Sequence, residues 1–271
     1  MDRGTAQMVP ISSVDLIKRL SKLDTVDERL SPEPDSRRGE ASRRALIKAG
    51  IELFGRRGLE GATTRAIASA SGQNIAAIGY YFGSKDGLYL AVAQHLLEST
   101  FGYLLPLIER TEALLSQGQA KPAQLLDALL ELCRALVLLL TRDETRAISR
   151  IISREQSDPT PAFDLFYEHA IARAHRCLAG LLDQYSGTDP GPVDSALRAH
   201  ILLGSILGFR VAAATVLRRT GWRQYGSGEV EQIERLACEH AHSYARALRE
   251  QAQKRQSPPT AHKPNRKSRQ R

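Results

Sequence analysis

Between residues 40 and 250 apolar side chains recur at intervals of three and four, and no stretch alternates. In residues 40–57 the pattern puts Leu46, Ala49, Gly50, Leu53 and Phe54 on one helical face. A chain patterned this way buries its apolar side by packing helix on helix, so the expected fold class is all-α. About nine helices follow from the periodicity. They cover residues 40–57, closed by Gly58, then 64–70, 74–81 and a segment from Ser84 that Pro106 kinks or ends. Further helices are expected over 122–140, 142–155, 161–186, 192–219 and 229–250.

Charge is distributed unevenly. The chain has 271 residues with 38 Lys and Arg against 30 Asp and Glu. The last twenty hold seven basic residues and no acid, whereas residues 1–38 balance seven against seven. Residues 39–251 are left with 24 basic and 23 acidic residues, so the basic character is mostly a tail. Two prolines in Leu30–Gly39 and three beyond Gln253 mark residues 1–38 and 252–271 as disordered arms. Cys133, Cys177 and Cys238 are odd in number and far apart, which fits a reducing cytoplasm better than a disulfide framework. No apolar segment follows a basic start at the N-terminus, so no secretory signal is expected. The most apolar run, Ile201 to Leu217, is 17 residues long and contains Arg210. It reads as a buried helix rather than a membrane span.

The segment from Ala62 to Phe82 has the layout of a helix-turn-helix. Thr63 or Thr64 caps a first short helix, and Ile67 and Ala68 face the core. Ser71-Gly72 supplies a tight turn, with Gly72 free to take a positive φ. Asn74 caps a second short helix that Ile75 and Ile78 anchor to the core. Ala76, Ala77 and Gly79 leave that helix a slim outer face, which suits a major groove about 12 Å wide. Gln73 and Asn74 are then placed to reach base edges, and alanine methyls to meet a thymine methyl. Tyr80 and Tyr81 offer hydroxyls to phosphates, and Lys85 adds a charge where Ser84 caps the next helix. The expected DNA contacts are Thr63, Thr64, Arg65, Gln73, Asn74, Ala76, Ala77, Tyr80, Tyr81 and Lys85. Residues 39–95 carry seven basic and four acidic side chains, so this unit is modestly cationic.

Residues 40–100 resemble the DNA-binding domain of TetR/AcrR-type transcriptional regulators. The matching positions are Ala49, Leu53, Phe54, Gly58, Thr63-Thr64, Ile67-Ala68, Gly72, Tyr80, Phe82, Ser84-Lys85 and Leu88. The stretches Gly72–Val92 and Ser153–Glu168 are most similar to the CecR-like branch, and the resemblance spans about residues 40–250. Gly79 departs from it, since family members often carry Tyr or Thr there, and Val is usual where Gln73 stands. The resemblance implies a helix-turn-helix domain over 39–100. It further implies a helical ligand-binding and dimerisation domain over 101–251. Such a protein would repress transcription as a homodimer on palindromic double-stranded DNA and let go when a small-molecule effector binds.

The residues of the second half agree in part. Residues 96–251 hold 17 basic and 19 acidic side chains, which is not a nucleic-acid surface. His200, Gly204, Ser205 and Gly208 form a small-residue face, which with helix 229–250 would make a four-helix seam across a two-fold axis. The same face would serve a buried helix in a monomer. Phe163, Tyr167 and Phe209 either line an apolar effector pocket or belong to the core. Arg154-Glu155-Gln156 is expected to fix the Asp158-Pro-Thr-Pro turn rather than touch a ligand.

Cys238, His240 and His242 do not share a helical face, so no metal site is expected. Phosphate-loop and nucleophile-elbow motifs are absent, and neither a cofactor nor an enzymatic activity is indicated. The competing reading is a non-specific nucleic-acid-binding or scaffold protein that works through its basic tail.

Overall fold

A computed structural model describes residues 34–256 apart from residues 103 and 144. All its regular structure is helical. Helix α1 spans Pro34–Gly61, α2 Thr64–Ser71, α3 Ala76–Phe82 and α4 Lys85–Leu96, the last continuing through a π-helical turn, Leu97–Phe101. Helix α5 spans Leu105–Ser116, α6 Pro122–Thr141 and α7 Arg146–Ser157. Helix α8 starts at Pro161–Phe166, passes a π-helical turn at Tyr167–Ile171, and runs on through Ala172–Ser186. Helices α9 Pro192–Val211, α10 Ala213–Thr220 and α11 Ser227–Gln256 complete the chain.

These are eleven helices among the described residues, two more than the periodicity suggests. Pro106 does not end α4. It sits in the first turn of α5, where its missing N–H costs nothing, and the break falls just before it. The expected helix 192–219 breaks at Ala212, and its two halves meet at 72°. In an unbroken helix the Phe209 carbonyl would accept from Ala213; here it accepts from the Tyr225 hydroxyl at 2.8 Å. The sequence stretch 201–217 is thus not a buried helix: Leu202 and Ile206 are buried, but Ile201, Leu207 and Val211 are exposed. No single described helix is long and apolar enough to cross a membrane; α9 and α10 together pass by length and composition, but only as that bent pair.

Residues 34–38 already belong to α1, and α11 extends past residue 252 to Gln256. The remaining parts of both expected arms lie outside the described residues. Gly58 keeps its expected role: at φ 74° it interrupts α1, so the regular helix stops there.

One apolar core runs through the molecule. Helix α6 is its axis, with Leu129, Leu132, Cys133 and Val137 fully buried beneath α8, α9 and α11. Helix α1 packs on α2 and α4 on one side and on α7 on the other. Two glycines allow that: a Cβ on Gly50 would lie 2.9 Å from Val92 Cγ2, and one on Gly55 3.1 Å from the Ala147 carbonyl oxygen.

Candidate DNA-binding surface and its link to the second domain

Side-chain caps set the short helices. Thr63, extended at φ −92°, accepts a hydrogen bond from the Ala66 N–H through Oγ1 at 3.2 Å and so opens α2. Gly72 closes α2 in the left-handed region at φ 69°. Asn74 Oδ1 accepts from the Ala76 N–H at 2.9 Å, and Ser84 Oγ accepts from the Gly87 N–H at 2.9 Å. Of the alternatives Thr63 and Thr64, it is Thr63 that caps.

The outer face of α3 is small and polar. Tyr80 is 83% exposed, and Asn74, Ala76 and Gly79 are exposed beside it. A Cβ added to Gly79 would meet nothing within 4 Å. Arg65 is exposed on α2; Thr64, Gln73 and Lys85 are half-buried. Tyr81 is half-buried in an edge-to-face contact with Tyr80, ring centroids 4.9 Å apart. Ala77 packs against the core rather than facing outward.

Ile75 departs from its expected place. Ile78 is 2% exposed and anchors α3, but Ile75 is 51% exposed. Ile75 has helical dihedrals, φ −58° and ψ −32°, but it sits at the open N-terminal end of α3, where its side chain joins the outer face. Sequence reasoning also passed over Gly87. A Cβ there would lie 2.0 Å from the Phe82 carbonyl oxygen, so α4 abuts the end of α3 only because residue 87 has no side chain. A glycine three positions after a serine cap was the available signal.

The turn after α7 ties the two halves together. Glu155 is buried and accepts from the Tyr89 hydroxyl of α4 at 2.7 Å and from the Thr160 N–H at 3.0 Å. The Thr160 hydroxyl donates to the same carboxylate and accepts from the Ala162 N–H, opening α8. Burial first, then the bond to Glu155, raises the Tyr89 hydroxyl above its ordinary pKa. Arg154 donates to the Arg56 carbonyl at 3.2 Å and lies against Gly58. The Arg154-Glu155 pair therefore fixes the turn before α8 and also clamps it to α1 and α4.

In the second half the small-residue face of α9 points outward. His200, Gly204 and Ser205 are exposed, and Gly208 is half-buried with open space above its Cα. Val193, Leu197, Ile201 and Val211 are exposed on the same side of the helix. His200 also meets His175 of α8, Nδ1 to Nε2 at 3.2 Å. Phe163 and Tyr167 stack on each other, ring centroids 5.7 Å apart, while Phe209, on α9, packs against the core. The structure does not bring these three together around one space.

Among the clefts at the surface of the described residues, two stand out. One, of about 370 Å³ between α6 and α11, includes Glu234, Cys238 and His242. Among the described residues no three His, Cys, Asp or Glu side chains converge as a metal site would require. The other, of about 920 Å³, lies between α1, α7 and the α9–α10 corner. Phe163, Tyr167 and Phe209 line neither.

Known proteins match this arrangement. Residues 46–92 match the family of bacterial regulatory proteins of the tetR type, and residues 122–248 match the C-terminal domain of the HTH-type transcriptional dual regulator CecR. The chain is 40% identical to that regulator from Shigella flexneri over 203 residues, which cover 75% of this chain and 91% of the relative. It is 43% identical over 70 residues to the HTH-type transcriptional regulator BetI of Brucella anthropi, covering 26% of this chain and 36% of that one. The solved structure of HlyIIR, a hemolysin II transcriptional regulator, shares the fold at a TM-score of 0.50 and 19% identity, over 73% of this chain and 97% of that one. The matched segments run from the middle of α1 into α4 and from α6 into α11. The chain belongs to the TetR family of transcriptional regulators, which bind DNA through a helix-turn-helix and are not enzymes.

Proposed function

We propose that this chain is an effector-responsive cytoplasmic repressor that binds a palindromic operator as a homodimer. The observation that carries the reading is the outer face of α3, slim at Ala76 and Gly79 and bearing an exposed Tyr80. In this reading α3 enters the major groove. Gln73 and Asn74 Nδ2 face base edges, while Asn74 Oδ1 stays with its cap. Ile75 and Ala76 supply apolar contact to thymine methyls, a role in which Ile75 replaces Ala77. Thr63, Thr64 and Arg65 at the start of α2, with Tyr80, Tyr81 and Lys85, hold the phosphates on either side.

Homodimerisation is supported by the exposed α9 face, where Val193, Leu197, Ile201 and Val211 surround His200, Gly204, Ser205 and Gly208. Contiguous exposed apolar surface of this kind marks an interaction site, and small residues let two helices approach closely. One short recognition helix reads few base pairs, so a two-fold pair about 34–36 Å apart is the economical way to a specific site. The clamp from Glu155 and Arg154 to α1 and α4 supports the effector response. A change in the second domain that moves α7 moves the DNA-binding helices with it. An effector acts only through its different affinities for the two states. The Shigella flexneri relative is described as a dual regulator, so activation at some operators fits the same machinery.

The test is binding to a duplex that the wild-type protein retains at about 150 mM salt. Tyr80→Phe and Lys85→Ala should each weaken it on every sequence, because phosphate contacts position without specifying. Wild-type affinity in both variants would show that α3 docks differently.

A further inference from the structure

The larger cleft has a composition unlike the domain that holds it. Six arginines line it: Arg56 of α1, Arg146, Arg150 and Arg154 of α7, Arg210 of α9, and Arg223 beyond α10. Among the described lining residues Asp143 is the single carboxylate, and it already pairs with Arg146 at 2.5 Å. Yet residues 96–251 as a whole are net acidic. Cationic side chains gathered without anions repel one another, so a fold holds them together at a cost unless something negative binds there.

Their hydrogen bonding is incomplete. Arg210 donates through Nη2 to the Arg142 carbonyl and to Thr145 Oγ1, at 2.5 and 2.9 Å. Its buried Nε has no partner among the described residues. Burial first, and the Arg146 charge second, hold its guanidinium below the ordinary pKa. Arg150 and Arg223 are exposed and have no hydrogen-bond or ion-pair partner among the described residues. One side of the cleft is apolar, formed by Ala213, Ala214 and Leu217. At about 920 Å³ the space matches a small molecule.

We infer that this cleft is the effector site, and that the effector is a small molecule joining a diphosphate group to an apolar part. The inference rests on the effector-responsive reading above. With Asp143 on Arg146 and Glu52 on Arg56, four of the six arginines have no carboxylate partner among the described residues. A diphosphate ester brings two to three negative charges and many acceptor oxygens, which arginine forks meet in pairs. The apolar wall then takes the rest of the molecule. Arg56 sits on the first helix of the DNA-binding unit and the other five arginines on the second domain. A ligand bridging them would fix the angle between the two.

The test uses the purified full-length protein without DNA and three probes: geranyl diphosphate, inorganic pyrophosphate and geraniol. Titration calorimetry should show geranyl diphosphate binding more tightly than pyrophosphate, and geraniol not binding. The double variant Arg150→Gln/Arg223→Gln changes two exposed side chains that hold nothing in place. It should lose at least about tenfold affinity for both phosphates and keep its thermal midpoint. It should also retain wild-type affinity for duplex DNA. Three results would overturn the inference: no binding of either phosphate up to about 1 mM, equal binding by the variant, or a DNA affinity that falls with these two arginines. The last would make the cleft part of the DNA contact. A second titration, of geranyl diphosphate into the protein already bound to duplex DNA, separates the two readings: binding in the cleft without release of DNA would leave the site standing and count against the effector-responsive reading instead.

Discussion

The two halves of this regulator finish their surfaces in opposite ways. Around α2 and α3 helix ends are closed by the side chains of Thr63, Asn74 and Ser84, and what remains outside is polar, aromatic or nearly bare. In the second half α5, α6, α8 and α9 carry a proline in their first turn, α8 behind the Thr160 cap, and the exposed strip on α9 is apolar. The first surface, with seven basic and four acidic residues over 39–95, is complete on its own and suits a polyanion. The second is slightly acidic and greasy along α9, and in the proposed reading another copy of itself covers that strip. Specific recognition in this account needs both: α3 reads, and α9 sets how far apart two copies read.

Breaking the α9 strip should have the largest effect. Leu197→Asp with Ile201→Asp changes two exposed residues, so each subunit should stay folded while sedimentation shows monomers. Operator affinity should then fall about a thousandfold or more, to the level of non-specific binding. A monomer that keeps operator affinity would break the comparison.

The clamp between the halves comes next. Glu155→Ala strands the Tyr89 hydroxyl and the Thr160 N–H in the interior. It should destabilise the fold by about 3 kcal/mol in denaturant unfolding. A loss under about 1 kcal/mol would mean that the carboxylate is not what joins α4 to α8.

Gly79→Ala sharpens the DNA-binding side. Open space above this residue and a helical backbone predict a gain of about 0.5–1 kcal/mol in thermal unfolding. A loss would show that the position is constrained by something other than its partner in the groove.

The smallest effect is on pH. Burial first, and then the neighbouring His200, lower the His175 pKa from its ordinary 6.5. As pH falls below 6.5 the unfolded chain takes up a proton that the folded chain resists. The contribution is therefore intact above that pH and lost as pH falls through the lowered value. Unfolding midpoints measured from pH 8 to 5 should decline on the acid side, less steeply for His175→Gln. A wild type that grows more stable toward acid, or a variant with the same slope, would contradict this.

Local chemistry is what the sequence makes legible. The caps at Thr63 and Ser84, the turn at Gly72 and the stop at Gly58 all depend on neighbours within about four residues. Features built from distant segments are not. The bend at Ala212 needs Tyr225 to take the Phe209 carbonyl. Glu155 finds Tyr89 66 positions away. The arginine cleft assembles from four separate segments, and no local pattern announces it. Ile75 fails for a different reason: periodicity gives a face but not how far the core extends along it, and the core stops short of the N-terminal end of α3.

The central claim is that α3 reads base sequence in two-fold pairs. Selection from a random duplex pool by the full-length protein at about 150 mM salt tests it most directly, since charge attraction alone is weak there. The account predicts an enriched inverted repeat with half-sites one helical turn, or a multiple of it, apart. It also predicts that removing residues 257–271 lowers affinity but leaves the repeat unchanged. No enrichment, with all retention lost once those residues are removed, would place binding in the basic tail and contradict the account.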